Sequence, residues 1–199
     1  MLSLYRIFDG LLHLWETKVK LKIKRDILFE HLSEPVFRTG LLEQLKEFNQ
    51  HGSSNCYDHS VSVAKASLYI AMLLPFHFKM EQLVRGALLH DYFLYDWHVT
   101  KPEKLHGFSH PHTACRNAKR DFDITPLEEN IIKRHMFPLT PVPPRFKESY
   151  LVTLADKYIA TKEFFAALRQ RLHPARALRL FSRSVPYVFS FMIVFLPWK

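Results

Sequence analysis

Four residues, spread over nearly a hundred positions, have the types and surroundings to do chemistry together: His59, the adjacent pair His90 and Asp91, and Asp156. Taken alone, each of the 12 histidines in the chain reads as a hydrogen-bonded core or surface residue. The combination is different. His90 and Asp91 fall on or near the apolar face of a helical pattern, Asp156 lies among Leu151, Leu154, Ala155 and Ile159, and His59 opens a third helical stretch. An unpaired carboxylate is costly in such a place. Two carboxylates only accept hydrogen bonds and a neutral imidazole donates one, so the four groups satisfy one another best around a cation. Imidazole and carboxylate donors suit iron, manganese, zinc or nickel. A divalent ion so held lowers the pKa of water into the neutral range and makes hydroxide available as a nucleophile.

The elements that must position these groups are helical throughout. Leu4, Ile7, Phe8, Leu11, Leu12, Trp15 and Val19 recur at helical spacing over residues 3–25, which predicts an amphipathic helix with Lys18, Lys20, Lys22, Lys24 and Arg25 at its end. It reads as a docking helix or as a contact for a membrane surface or acidic partner. After the turn-rich HGSSNCYD, HSVSVAKASLYIAMLL predicts a helix with His59 in its first turn, ending by Pro75. EQLVRGALLHDYFLYD predicts the next, and a short helix begins near Ser109 and runs through HTACRNAKR. Thr125-Pro126-Leu127-Glu128 supplies an N-cap hydroxyl, a proline at the first helical position and a capping-box glutamate before EENIIKRHM. PLTPVPPR connects to a long helix, KESYLVTLADKYIATKEFFAALRQRL. Nothing repeats and nothing alternates with period two, so the fold class is all-α.

Composition narrows the function. With 199 residues, 48% of them apolar, the chain fits one compact domain, read here as a helical extension over 1–50, a core domain over 51–168 and a basic, then apolar, tail over 169–199. The apolar run VPYVFSFMIVFLPW, about fourteen residues, falls short of the roughly twenty a spanning helix needs and holds two prolines. It predicts a core-docking or interfacial segment, and the arginines before it would suit peripheral contact with an acidic membrane. Five glycines and no Walker or dinucleotide fingerprint exclude those nucleotide folds. Cys56 and Cys115 form no CxxC pair, and the N-terminus, with Asp9 and no basic start, lacks signal-peptide character; both predict a cytoplasmic protein. A net charge of +9 favours anionic partners without choosing among them, and no specific nucleic-acid contact is predicted. GxSxG, HExxH and HxE…PCxxC patterns are absent, which leaves a Cys56 nucleophile near His51 or His59 as a minor alternative.

The order His59, His90-Asp91, Asp156, in the settings YDHSVSVA, RGALLHDYF and LVTLADKYI, resembles the H…HD…D signature of the HD-domain superfamily of metal-dependent phosphohydrolases, over about residues 51–165. The resemblance implies an HD-type helical bundle. GFSHPHTA and IIKRHMFPLT look like the segments that give dinuclear members two further ligands, taken here as His110 and His135, with His106 and His112 as alternatives to His110. Six ligands would hold two metals, with Asp91 bridging. The nearest likeness is to small single-domain bacterial members, including those that hydrolyse dinucleoside tetraphosphates. A small phosphorylated substrate, a nucleotide above all, is implied, cleaved at a phosphoester or phosphoanhydride by metal-activated water.

One position departs from the family. Many hydrolytic members carry a lysine three residues after the HD aspartate, and this chain has Leu94. Arg85, Lys133, Arg134, Arg145 and Lys157 are the candidates to bind phosphate in its place, each of which also reads as a solvated surface charge. Asp96 and His98 are candidates for a supporting contact to the ligands or for a general acid, against a plain polar loop. Leu94 keeps a second expectation open: a metal-binding module without turnover, acting as a ligand sensor or partner-binding protein. A third is a peripheral membrane protein whose basic helix and apolar tail matter more than its pocket.

Overall fold

A computed structural model of the chain describes residues 2–48, 55–95 and 106–171. Among these residues the structure is helical and contains no strand, in agreement with the all-α expectation. Six α-helices follow in chain order: α1 (Leu2–Phe37), α2 (Cys56–Leu73), α3 (Met80–Leu89), α4 (His106–Phe122), α5 (Pro126–Arg134) and α6 (Lys147–Arg171), with a short 3-10 helix at Leu41–Glu47. The tail beyond Arg171, and with it the apolar run, lies outside the described residues.

Helix α1 is longer than its apolar pattern predicts, running 36 residues to Phe37. Its last turns carry a second apolar stripe, with Phe29, Ser33 and Val36 buried, and Ser33 Oγ donates back to the Phe29 carbonyl at 2.7 Å. The lysine cluster therefore sits in mid-helix. There Ile23 and Ile27 are exposed beside Lys20 and Lys24. Gly40, at φ 70°, takes the left-handed turn that ends this segment.

The bundle core is built by α2 packing against α3 and α6, α5 wedging between α3 and α6, and α4 covering α5. Leu68, Leu83, Leu88, Ile131, Ile132 and Val152 are fully buried where these helices meet. The approach of α3 to α5 is close because residue 86 is glycine: a Cβ there would lie 2.6 Å from Ile131 Cδ1 and 3.1 Å from Ile131 Cβ. We expect Gly86→Ala to destabilise the protein by about 1–3 kcal/mol through overpacking, despite alanine's better helix propensity. Urea denaturation checks this, and an unchanged or raised midpoint would contradict the packing.

Local chemistry fixes the ends that matter for the site. Asn55 caps α2, accepting from Asp58 N at 2.8 Å, which puts His59 in the first turn as the sequence predicts. The capping box of α5 is complete, with Thr125 Oγ1 accepting from Glu128 N at 3.3 Å and Glu128 Oε2 accepting from Thr125 N at 2.7 Å. The helical pattern of EQLVRGALLHDYFLYD overstates α3, which ends at Leu89. Beyond it the Asn117 amide from α4 donates to the carbonyls of Tyr92 and Phe93 at 3.2 and 3.0 Å, and Leu94 turns left-handed at φ 55°. The His90-Asp91 pair is thus a helix terminus instead of a mid-helix face.

Candidate metal centre

Five helices deliver one residue or pair each to a common point. His59 comes from the start of α2, His90 and Asp91 from just past α3, His110 from α4, His135 from the end of α5, and Asp156 from the middle of α6; all six are buried. His59 Nε2 stands 3.1 Å from Asp156 Oδ1, and His90 Nε2 lies 3.5 Å from Asp91 Oδ2 and 3.7 Å from Asp156 Oδ1. On the other side of Asp91, Oδ1 is 3.2 Å from His110 Nε2 and 3.5 Å from His135 Nε2. Two trios, His59-His90-Asp91 and Asp91-His110-His135, each bring their donor atoms within 4.8 Å of one another, and Asp91 belongs to both.

The hydrogen bonds say which way the rings face. His90 Nδ1 donates to the Ala87 carbonyl at 2.7 Å and His135 Nδ1 to the Ile132 carbonyl at 2.8 Å. Both carbonyls belong to the last turn of a helix, where backbone acceptors have no intrahelical partner. With the proton placed on Nδ1, each neutral ring turns an Nε2 lone pair inward. His90 Nε2 then makes no hydrogen bond and looks toward two carboxylates, lone pairs against lone pairs. His110 Nε2 faces the His135 Nε2 lone pair at 2.8 Å and Asp91 Oδ1 at 3.2 Å, so its one proton stands before two acceptors. Acceptors converging on acceptors in a buried space fit a divalent cation, and the mixed imidazole-carboxylate set fits a borderline or hard first-row metal.

In the metal-free protein a proton does part of that work. Burial alone would keep His59 neutral, but its hydrogen bonds to Asp156 and Glu163 and the charges of Asp156 and Asp91 outweigh burial and raise its pKa to about 10. His90 is raised too, the attraction of Asp91 and Asp156 overcoming burial. Asp91 and Asp156 are held well below the ordinary carboxylate range: burial opposes their charge, and the facing histidines more than compensate. Burial dominates at His135, whose pKa falls to about 3.

These shifts set a pH profile. A raised His59 stabilises the fold fully below its unfolded pKa of about 6.5 and loses that contribution as pH climbs toward about 10. The depressed carboxylates and His135 act in the opposite direction, losing stability only as pH falls below their unfolded values. The chelator-treated protein should therefore lose melting temperature steadily from pH 7 to pH 10, and His59→Asn should flatten that slope. Thermal melts across the range test it; a metal-free protein that grows more stable toward pH 10 would contradict the assigned charges.

Other residues singled out in the sequence fall in different places. Of the histidines near His110, His112 is exposed, and the side chain of His106 lies outside the described residues, as do Asp96, His98 and His51. Arg85 is committed to the frame, its Nε donating to Glu128 Oε1 at 2.6 Å and its guanidinium to the Phe122 carbonyl at 3.1 Å. Lys133 pairs with Glu129 at 2.7 Å on the α5 surface. Arg145 is exposed, its guanidinium 5.8 Å from the Phe146 ring centre. Arg134 is half-buried, and its carbonyl accepts from Phe137 N at 3.0 Å and from Thr153 Oγ1 at 3.5 Å. Lys157 does border the cluster: Nζ donates to the His135 carbonyl at 2.8 Å, and burial lowers its pKa against the pull of Asp156 and Asp91. Cys56 and Cys115 are both buried, with the Cys115 thiol pushed up by burial, which argues against a thiolate nucleophile.

The sequence reading missed Glu163, whose Oε2 accepts from His59 Nδ1 at 2.9 Å. It lies seven residues after Asp156, two turns along the same face of α6, a spacing that could have drawn attention to it.

An all-helical bundle that gathers four imidazoles and two carboxylates at one buried point defines a metal-ion-binding class of domain. The family model for the HD domain matches residues 56–161, more than half of the chain and a span that holds all six cluster residues. The chain belongs to the HD-domain family, within a superfamily of metal-dependent phosphohydrolases. No curated protein and no solved structure matches it.

Proposed function

We propose that this HD domain is a working phosphohydrolase that binds two divalent cations and cleaves a phosphoester or phosphoanhydride in a nucleotide or another small phosphorylated metabolite. The single observation that carries the reading is Asp91, buried and shared by two imidazole-bearing trios at the meeting point of the helices. His59, His90, Asp91 and Asp156 would hold one ion, and Asp91, His110 and His135 the other. A cation pair there supplies Lewis acidity to phosphoryl oxygens and a nucleophile from water at neutral pH. The protein's own part is positional. Backbone carbonyls at two helix ends fix the tautomers of His90 and His135, and burial shields the cluster from bulk water. Lys157 brings a positive donor to the rim, next to Asp156, and is the residue we assign to phosphate binding in place of the missing lysine at Leu94.

Leu94 also favours a second reading, a metal-loaded module that senses or binds a ligand without turnover. One experiment separates them: metal analysis of the purified protein, followed by a manganese-supplemented phosphate-release screen over nucleoside mono-, di- and triphosphates and dinucleoside polyphosphates. Turnover that depends on manganese supports the enzyme. Bound metal with no turnover on any of them supports the module, and absence of metal binding removes both. No described helix is long and apolar enough to cross a membrane.

A further inference from the structure

We infer that Glu163 is a positioning residue that orients His59 and makes it the better donor to a cation, an inference that rests on the metal-binding reading above. The reason lies in where His59, His90 and His135 sit on their helices. His90 and His135 follow helix C-termini, where spare backbone carbonyls accept their Nδ1 protons three residues back. His59 sits in the first turn of α2, at the opposite kind of end. A helix N-terminus has spare N–H groups and no spare carbonyls, so it offers the Nδ1 proton no local acceptor. The acceptor must come from another element, and α6 supplies it: Glu163 Oε2 lies 2.9 Å from His59 Nδ1 while Asp156 Oδ1 lies 3.1 Å from Nε2.

The geometry also explains why the acceptor is a carboxylate on α6. Asp156 and Glu163, seven residues apart, present two acids to the two nitrogens of one fully buried ring. When Nε2 is given to a cation, Nδ1–H stays with Glu163. A carboxylate on that proton fixes the ring orientation and raises the basicity of the ligating nitrogen more than a carbonyl does. Glu163 thus does for His59, with a charge, what helix-end carbonyls do for His90 and His135.

The test uses the full-length protein and manganese alone as probe. Calorimetric titration should show Glu163→Ala binding Mn2+ about 10- to 100-fold more weakly than the wild type, and Glu163→Gln, whose amide oxygen still accepts a hydrogen bond, only a few-fold more weakly. A second readout is the ring N–H proton of His59 in the zinc-loaded protein. Its resonance, identified by its absence in His59→Asn, should be far downfield in the wild type, less so in Glu163→Gln, and lost to exchange in Glu163→Ala. If Glu163→Ala folds poorly, Glu163→Gln alone decides: a resonance that stays at the wild-type position overturns the inference. So does wild-type manganese affinity in Glu163→Ala. Wild-type protein that binds no manganese would overturn the metal reading itself, an outcome visible before any variant is made.

Discussion

Asp91→Ala should abolish manganese binding at both trios and reduce phosphate release by roughly 10³-fold or more, the scale of losing a metal-assisted nucleophile. The expectation follows from the position of one carboxylate. Oδ2 lies 3.5 Å from His90 Nε2 and Oδ1 lies 3.2 and 3.5 Å from the Nε2 atoms of His110 and His135, so both halves of the cluster lose their shared anion together. The other single changes should differ in kind. His135→Ala removes a ring from one trio only, and Asp156→Ala takes a carboxylate that faces His59 and His90 but has no place in the second trio. Each should cost part of the binding. Calorimetry with Mn2+, with circular dichroism to confirm the fold, checks the ranking. Metal binding by Asp91→Ala at the wild-type level and stoichiometry would remove the basis of the proposed mechanism.

The parts of this molecule that could be read from residues were those governed by local rules. The capping box at Thr125 and the N-terminal placement of His59 are written in three or four consecutive positions, and both appear in the structure. The length of α3 could not be read that way. Its apolar spacing continues through HDYFLYD, yet the helix ends at Leu89, and beyond that end the Asn117 amide from α4 holds two carbonyls more than twenty residues upstream. In α1 the break before a second apolar stripe hid a continuous helix, because Pro35 falls in the last turn, too late to end it earlier. Glu163 was hidden for another reason. In the stretch KEFFAALRQR it looks like one more surface charge, and only the three-dimensional path of α2 past α6 makes it a partner of His59.

The same distinction separates Lys157 from Arg85 and Lys133 among the candidate phosphate binders and leads to the second large effect. A cation already satisfied elsewhere is poorly placed to leave for a substrate. Arg85 holds Glu128 and the Phe122 carbonyl, and Lys133 holds Glu129. Lys157 is different in what surrounds it: it follows Asp156 on α6, one of its three donors goes to the carbonyl of the ligand candidate His135, and the carboxylates of Asp156 and Asp91 both attract it. A positive donor so close to the centre meets charge that builds up on phosphoryl oxygens as the bond breaks. We therefore expect Lys157→Met, which keeps the stem and removes the charge, to lower kcat by about 10²-fold, as losing one preorganised electrostatic donor does. KM should change little, because an interaction that strengthens in the transition state appears in kcat. Manganese affinity should survive, since Lys157 supplies no ligand atom. A variant with normal kcat and a lowered melting temperature would make Lys157 a strut between α5 and α6 and would leave the Leu94 position without a substitute, strengthening the case for a module that binds without turning over.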